Sequence, residues 1–351
     1  MQTTTQPTFT VKQTNIAKGI ACILLLCHHL FYSTNSYARF TSLWVLNGVP
    51  IESKIAVMCK VCVTIFLFLS GYGINEAINK RLSLSNTPVK TLLRSSSRLL
   101  WKLWAGYIVV FLLFVPWQGL FGRHPYTSVS DFVWDVLGIS YITGAHTMNE
   151  TWWFMSLAIV SYAIAPLFKI VLMKKKTLIL AIVPPLFLLY SLYGGLFWCY
   201  AFICGMIASE VGILNTLQEK FTQSKPIYVW FVCGTLVLST GFLRYLSPAF
   251  GDFPFAVAIV IASFLCVSKL RIFSIPLEFI GKHSANIFFF HSFLYAYNFQ
   301  TFVYAPKYAP LILLVFIAEC LAVSVVIEFI KKLTSAQKGI RFVEKVIEGN
   351  S

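Results

Sequence analysis

Two ionisable side chains share one face of the first apolar segment, NIAKGIACILLLCHHLFYS (residues 15–33). In an α-helix, eleven residues at about 100° each return Lys18 and His29 to within about 20° of one another. An imidazole titrates near neutrality, so His29 is a candidate general base with a cation on its own face. His28 points roughly 80° away. The structural alternatives are a snorkelling Lys18 and a His29 that hydrogen-bonds between helices.

Two further apolar segments carry polar groups. FIGKHSANIFFFHSFLYAY (279–297) holds Ser284 and His291, and FLFLSGYGINE (66–76) holds Ser70 and Tyr72. Polar groups inside membrane segments are costly and are therefore functional candidates. A structural role is an equal alternative for His291, and close helix packing at Ser70-Gly71 explains that pair about as well as substrate contact does.

A basic cluster precedes the third apolar segment. Arg94, Arg98 and Lys102 follow one another at one-turn intervals and so share a helix face. Guanidinium groups bind phosphate oxygens in bidentate fashion, which makes the cluster a candidate cradle for a phosphorylated cytosolic molecule. Attraction to an anionic membrane surface is the simpler alternative.

Several chemistries lack their sequence signatures. We find no His-x-x-x-His metal pair, phosphate-binding loop, dinucleotide fingerprint or nucleophile elbow. We therefore predict no bound metal or resident cofactor. The nine cysteines all lie in apolar runs, which predicts core packing rather than disulfides.

The elements that position these residues are membrane helices. Of 351 residues, 58% are hydrophobic and 12% are charged, about half the charge of a soluble protein. A helix needs about 20 apolar residues to cross a bilayer. We predict an all-α polytopic membrane protein with about ten transmembrane helices in a single bundle. The spans are 16–33, 56–76, 99–118, 152–172, 178–194, 196–213, 227–246, 254–269, 284–302 and 310–331.

The basic residues predict the orientation of these spans. The net charge is +15, yet Lys and Arg fall between apolar runs instead of in one patch, which favours topology over nucleic-acid binding. With a cytosolic N-terminus, 22 of the 28 lie inside, so both termini are predicted to be cytosolic. We assign 1–14 and 333–351 to cytosolic tails and 15–332 to one membrane domain. The outer loop 119–151 contains a short stretch, FVWDVLGISYI, predicted to be an interfacial helix.

Taken together, these segments resemble the integral-membrane acyltransferase family 3, whose members O-acylate bacterial surface glycans and other acceptors. The resemblance runs from about residue 12 to 331. Five elements carry it in the family's order: Lys18 and His29; Phe66 to Tyr72; Arg98-Leu-Leu-Trp-Lys102; Trp152-Trp153-Phe154; and Gly281, Lys282, Ser284, Ile287 and His291.

The resemblance implies an enzyme of the bacterial cell membrane that moves an acyl group, most often acetyl, from cytosolic acyl-CoA to a hydroxyl of a surface or capsular polysaccharide or its lipid-linked precursor. His29 and Lys18 are then the catalytic residues. Arg94, Arg98 and Lys102 are expected to bind the acetyl-CoA donor. The acceptor or the reaction's oxyanion is assigned to Ser70, Tyr72, Trp153, Ser284 and His291.

Two other classes fit the same pattern in part. A transporter or lipid-linked glycan flippase would also have many spans with intramembrane charges, although transporters usually show internal repeats and none is seen here. A different family of membrane O-acyltransferases uses a histidine in a late span, which would place the chemistry at His291 rather than His29. The oligomeric state is not predicted.

Overall fold

A computed structural model describes residues 9–84, 87–120, 123, 125–174, 183–190, 195–334 and 336–348. Nearly all of this chain is helical, which confirms the predicted all-α class. The helices are α1 (Val11–Phe31), α2 (Ile51–Cys59), α3 (Cys62–Leu82), α4 (Pro88–Leu120), α5 (Val129–Leu137), α6 (Ser140–Thr143), α7 (Trp153–Lys174), α8 (described over 183–190), α9 (Cys199–Val211), α10 (Ile213–Thr222), α11 (Pro226–Leu246), α12 (Pro248–Leu265), α13 (Arg271–Ser292), α14 (Gln300–Val303), α15 (Ala309–Leu333) and α16 (Ala336–Glu348).

Seven helical segments in the described residues are long and apolar enough to cross a membrane, and each matches a predicted span. They are Val11–Phe31, Ile51–Leu82, Pro88–Leu120, Glu150–Met173, Pro226–Leu246, Pro248–Lys269 and Ala309–Leu333. The pair α9 and α10, bent by 59°, provides an eighth if it counts as one span, where 196–213 was predicted. The chain is a polytopic membrane protein.

The other two predicted spans have different outcomes. The segment 178–194 lies largely outside the described residues. The segment 284–302 does not form one apolar helix: α13 begins at Arg271, and a π-helix (Phe293–Asn298) follows its end. Lys282, His283 and Asn286 make α13 too polar to qualify as a span by composition.

Contacts divide the chain into two units. Unit 1 comprises Met1–His28, Lys54–Glu76 and Ile170–Ser284, and unit 2 comprises His29–Ser53, Ala77–Lys169 and Ala285–Ser351. The helices α1, α2, α3, α7 and α13 each have residues in both units. All nine cysteines are thiols, as predicted.

Glycines let helices approach closely in unit 1. A Cβ on Gly71 of α3 would lie 1.9 Å from the Phe202 carbonyl oxygen, and one on Gly205 of α9 would lie 2.0 Å from that of Phe68. The backbones of α3 and α9 therefore touch at two reciprocal positions. Close helix packing, one of the two roles considered for Ser70-Gly71, is thus realised at Gly71.

Unit 1 also presents a long apolar surface. Only 11% of the apolar window of α11 is buried, and side chains such as Phe231, Leu238 and Phe242 are largely exposed. An apolar face of this extent is unstable in water and stable against lipid.

Unit 2 has the one strand pair of the described chain. Val45–Leu46 and Val49–Pro50 pair antiparallel around Asn47-Gly48. Both turn residues have positive φ, 55° and 74°, as a type I′ hairpin turn requires. The predicted short helix in the outer loop is present as α5, which ends at Gly138 in the left-handed conformation.

Candidate active site

His29 lies near the end of α1, at the start of unit 2, where it meets two side chains from the other end of the chain. Its ring centroid lies 4.9 Å from that of His291, and its Nδ1 lies 3.3 Å from the Tyr295 hydroxyl. Tyr295 also stacks on His291, with centroids 5.9 Å apart and planes 18° apart. Two histidines predicted from separate segments are thus in contact, together with a tyrosine that the sequence analysis did not single out.

The backbone of α13 fixes the orientation of His291. Its Nδ1 lies 3.1 Å from the Ile287 carbonyl oxygen and 3.0 Å from that of Phe288, and the residue is fully buried. Carbonyl oxygens only accept hydrogen bonds, so the Nδ1 atom carries a proton. In the neutral ring, Nε2 is then the acceptor nitrogen.

The π-helix directly after α13 positions Tyr295. It spans Phe293–Asn298, and each of its turns holds more residues than an α-turn. Single π-turns frequently occur at functional sites because they change the direction of the side chains that follow. Here the change brings Tyr295 over His291 and against His29.

The end of α1 is held in place beside this cluster. The Tyr304 hydroxyl donates to the Leu30 carbonyl oxygen at 2.7 Å, one residue after His29. The Phe31 ring packs edge-on against Phe40 at 5.2 Å. His28, by contrast, is buried in unit 1 with its Nδ1 2.8 Å from the Ala56 carbonyl oxygen. This contact gives His28 a structural role.

The segment that leads into α7 is bonded to α13 around His291. The Trp152 indole N–H donates to the Phe289 carbonyl oxygen at 2.9 Å, and the Thr151 and Ser292 hydroxyls lie 3.4 Å apart. The Asn149 amide also donates to Phe289, at 3.4 Å. Ser292 is buried and adjacent to His291 in sequence, so it is the serine nearest in sequence to the histidine cluster.

A buried carboxylate organises the outer loop. Asp135 accepts hydrogen bonds from the hydroxyls of Tyr126, Ser140 and Thr147 and from the Met148 N–H. Burial raises the pKa of Asp135, and these four hydrogen bonds oppose that shift.

The pKa of a second loop carboxylate, Asp131, is shifted in the opposite direction. The Thr127 hydroxyl donates to Asp131 at 2.6 Å and the Thr127 N–H at 3.0 Å. These hydrogen bonds, led by that of the hydroxyl, lower the pKa of Asp131 to about 2.

The predicted donor cluster lies along α4, where α16 covers part of it. Lys102 is exposed and Arg94 is half-buried. The Arg98 guanidinium is engaged by the Glu344 carboxylate of α16 at 2.9 Å, and the Trp101 indole N–H donates to the Ile340 carbonyl oxygen. The segment assigned to a C-terminal tail thus contains a helix that packs on α4.

Four predicted site residues belong to unit 1. Lys18 is half-buried on α1, and Ser70 is half-buried on α3. Tyr72 is buried, with its ring edge-on to Phe9 at 5.1 Å. The Ser284 hydroxyl donates to the Gly281 carbonyl oxygen at 2.8 Å. This is a hydrogen bond from a side chain to the backbone of the same helix.

The sequence analysis missed a buried ion pair in unit 1. Arg244 of α11 donates through Nε to Asp252 of α12, and the Tyr190 hydroxyl donates to the same carboxylate at 2.7 Å. Arg244 Nη1 lies 3.2 Å from the Met58 sulfur. The charge count places Arg244 among the six basic residues of the outer side. An arginine eight residues before an aspartate across a short turn was the available signal.

Comparison with known families decides the class of this site. A family model described as an acyltransferase domain matches residues 12–329. The chain belongs to the integral-membrane acyltransferase family 3. It matches no curated protein and no solved structure.

Membership in this acyltransferase family gives the histidine cluster a chemical context. Acyl transfer to a hydroxyl needs a base for the hydroxyl proton and donors for the developing oxyanion. Imidazoles and hydroxyls supply both, and a base oriented by a third group is the usual arrangement. Within the described residues, no group of three or more His, Cys, Asp and Glu side chains could hold a metal ion.

Proposed function

We propose that this membrane acyltransferase moves an acetyl group from cytosolic acetyl-CoA to a hydroxyl of a bacterial cell-surface or capsular polysaccharide, or of its lipid-linked precursor, in the bacterial cell membrane. The observation that carries the proposal is the contact of His29 with His291 and Tyr295. The family match supports acyl transfer, and the basic residues of α4 support a donor that carries phosphates.

His29 acts as the general base. In this assignment the neutral ring carries its proton on Nδ1, where the Tyr295 oxygen accepts its hydrogen bond, and Nε2 is the nitrogen that takes the proton of the acceptor hydroxyl. As Nε2 takes the hydroxyl proton, the acceptor oxygen attacks the thioester carbon. The tetrahedral intermediate then expels the CoA sulfur, which takes the proton from the imidazolium. Products are the ester and the free thiol, and His29 is neutral again.

The neighbouring groups assist this step. We assign the Ser292 hydroxyl as a donor for the oxyanion and His291, whose Nε2 is an acceptor in the neutral ring, as a contact of the acceptor hydroxyl. A backbone-bonded Ser284 is a weaker candidate for that role than Ser292. Lys18 stays a predicted catalytic residue on the helix that carries His29. Arg94 and Lys102 bind the CoA phosphates, and Arg98 joins them when Glu344 releases it.

The test uses the purified protein in proteoliposomes with acetyl-CoA labelled in the acetyl group. We expect label to pass to an oligosaccharide acceptor, with one CoA thiol released per ester formed. His29→Ala should lower the rate about 10²- to 10⁴-fold, the usual contribution of a positioned general base.

Two outcomes would overturn the proposal. If a folded His29→Ala variant transfers acetyl at an undiminished rate, His29 is not the general base. Glycan movement across the bilayer without consumption of acetyl-CoA would identify a flippase. His291→Ala serves as the comparison: a total loss there with activity kept in His29→Ala would place the base in the late helix.

A further inference from the structure

An open cavity of about 370 Å³ lies beside the segment that enters α7. Its size is in the lower range of small-molecule sites. It is lined by Asp135, Gly138, Ser140, Tyr141, Gly144, Ala145, Thr147, Glu150, Trp152 and Trp153. All of these residues belong to unit 2, and the charge distribution predicts that this loop is on the outer side.

Aromatic rings form one part of the lining. Trp153 is half-buried and Tyr141 is 47% exposed, with ring centroids 6.1 Å apart and planes 57° apart. Two rings at this angle form a concave apolar corner. Such a corner fits the C–H face of a pyranose ring, and a flat ligand with polar edges suits aromatic walls surrounded by hydroxyls.

The charge of the lining is one-sided. Glu150 is exposed at the cavity and adds a carboxylate, and none of the ten lining residues is basic. The Asp135 oxygens accept hydrogen bonds from other residues of the loop, as described above. An anionic ligand would meet a like charge at Glu150 with no basic residue in the lining to offset it.

The backbone around the cavity is connected to the histidine cluster by a hydrogen bond from Trp152 to α13. Gly138 and Gly144 take left-handed conformations at helix ends, and a Cβ at Gly144 would meet nothing within 4 Å, so this side is open. Trp152 lines the cavity and donates to Phe289 of α13, two residues before His291. A ligand in the cavity therefore lies against the segment that is bonded to the catalytic cluster.

We propose that this cavity binds an uncharged sugar residue of the acceptor, stacked on Trp153 and Tyr141, and that Glu150 excludes acidic sugars. The assignment of this sugar as acceptor rests on the proposed function, but its binding does not. Glu150 is thus a specificity-determining residue, and Trp153 is the principal contact.

The experiment measures sugar binding without acyl-CoA, by saturation-transfer NMR titration of the full chain in detergent. The probes are neutral oligomers of glucose, galactose and N-acetylglucosamine, compared with oligomers of galacturonic acid. We expect at least one neutral oligomer to bind more tightly than the acidic ones. Trp153→Ala should weaken that binding about tenfold, as removal of a stacking ring does in other sites. Glu150→Gln should narrow the preference for neutral sugars by about threefold.

Matched controls separate the site from general effects. Trp134 is exposed on α5 outside the cavity, so Trp134→Ala should leave binding unchanged. Glu219, exposed on α10, is the charge control as Glu219→Gln. Should Trp153→Ala fail to fold, Tyr141→Ala replaces it, because truncating an exposed side chain does not threaten the core.

Three results would overturn the inference: equal binding of acidic and neutral oligomers, equal effects of Trp153→Ala and Trp134→Ala, or no binding by any oligomer. The proposed function is judged separately. Sugar binding with the expected preference, but without acetyl transfer in proteoliposomes, would refute the transferase mechanism and keep the site.

Discussion

At the residue scale, the distribution of protons decides what the histidine pair can do. The two carbonyl oxygens at His291 Nδ1 fix a proton there, and Tyr295 contacts His29 at Nδ1. The two rings therefore have different partners: His291 is bound by its own helix, whereas His29 is oriented by a side chain. A ring oriented by a hydroxyl is better suited to exchange protons with a substrate.

Tyr295→Phe tests this orientation. We expect kcat to fall about tenfold, the cost of one hydrogen bond, while the KM for the acceptor stays constant. Tyr297→Phe in the same π-helix is the control, because its ring, which lies under Arg123 at 3.4 Å, is kept. A change in KM alone, or an equal loss in Tyr297→Phe, would show that Tyr295 only supports the fold. Initial rates at varied acceptor concentration decide between these results.

Asp131 predicts a pH dependence for the outer loop. Its pKa in the folded protein is lowered from the ordinary 3.8 to about 2, so its stabilising contribution is complete above pH 3.8 and is lost as the pH falls towards 2. Asp135 acts in the opposite direction, because its raised pKa makes ionisation unfavourable for the fold.

The measurement is the thermal midpoint of the wild type and of Asp131→Asn between pH 3 and pH 7. We expect the variant to be less stable by a constant margin above about pH 4 and the margin to shrink below it. A margin that is the same at pH 3 and pH 7 would contradict the assigned pKa.

At the element scale, α16 lies on the helix that holds the donor cluster. Glu344 is buried at the Arg98 contact, and Ile340 accepts from Trp101. A carboxylate and a phosphate compete for the same guanidinium geometry. Glu344 of α16 therefore binds Arg98, one of the three cations assigned to acetyl-CoA.

Glu344→Gln should consequently tighten acetyl-CoA binding. The contact is partly exposed, with Arg98 at 32% and Glu344 at 11%, so the gain is expected to be about threefold. Donor affinity measured by equilibrium dialysis gives the answer, with Glu219→Gln as the control. Weaker binding in Glu344→Gln would show that Glu344 positions Arg98 for the donor instead.

The ion pair between α11 and α12 predicts a stability effect. Arg244→Ala leaves the Asp252 carboxylate buried without its cation, which is expected to cost about 3–5 kcal/mol. Replacing both residues, as Arg244→Met with Asp252→Leu, should restore much of the stability. Thermal midpoints in detergent measure both, and a double variant as unstable as the single one would contradict an electrostatic origin.

At the scale of the whole molecule, the basic residues predict the orientation on which the function depends. A cytosolic donor requires Arg94, Arg98 and Lys102 on the inside and the loop 119–151 on the outside. A cysteine introduced at Ser130, an exposed position on α5, should react with an impermeant thiol reagent added to intact cells. One introduced at Glu219 on α10 should react only after permeabilisation. The reverse pattern would refute the predicted orientation.

The sequence alone determined the class of the fold and most of the spans, because apolar length and the positions of Lys and Arg act locally along the chain. It also selected His29 and His291, since ionisable groups in apolar segments are rare enough to stand out. It placed one helix over 284–302, whereas α13 begins at Arg271 and a π-helix follows Ser292.

Only the tertiary structure decided which selected residues meet. His29 and His291 are 262 positions apart, and no local pattern specifies that their helices end together or that Tyr295 completes the cluster. Nor could spacing show that Glu344 binds Arg98, or that Trp153 and Glu150 face one cavity. These contacts depend on how distant helices pack, which is a property of the whole folded chain rather than of any segment.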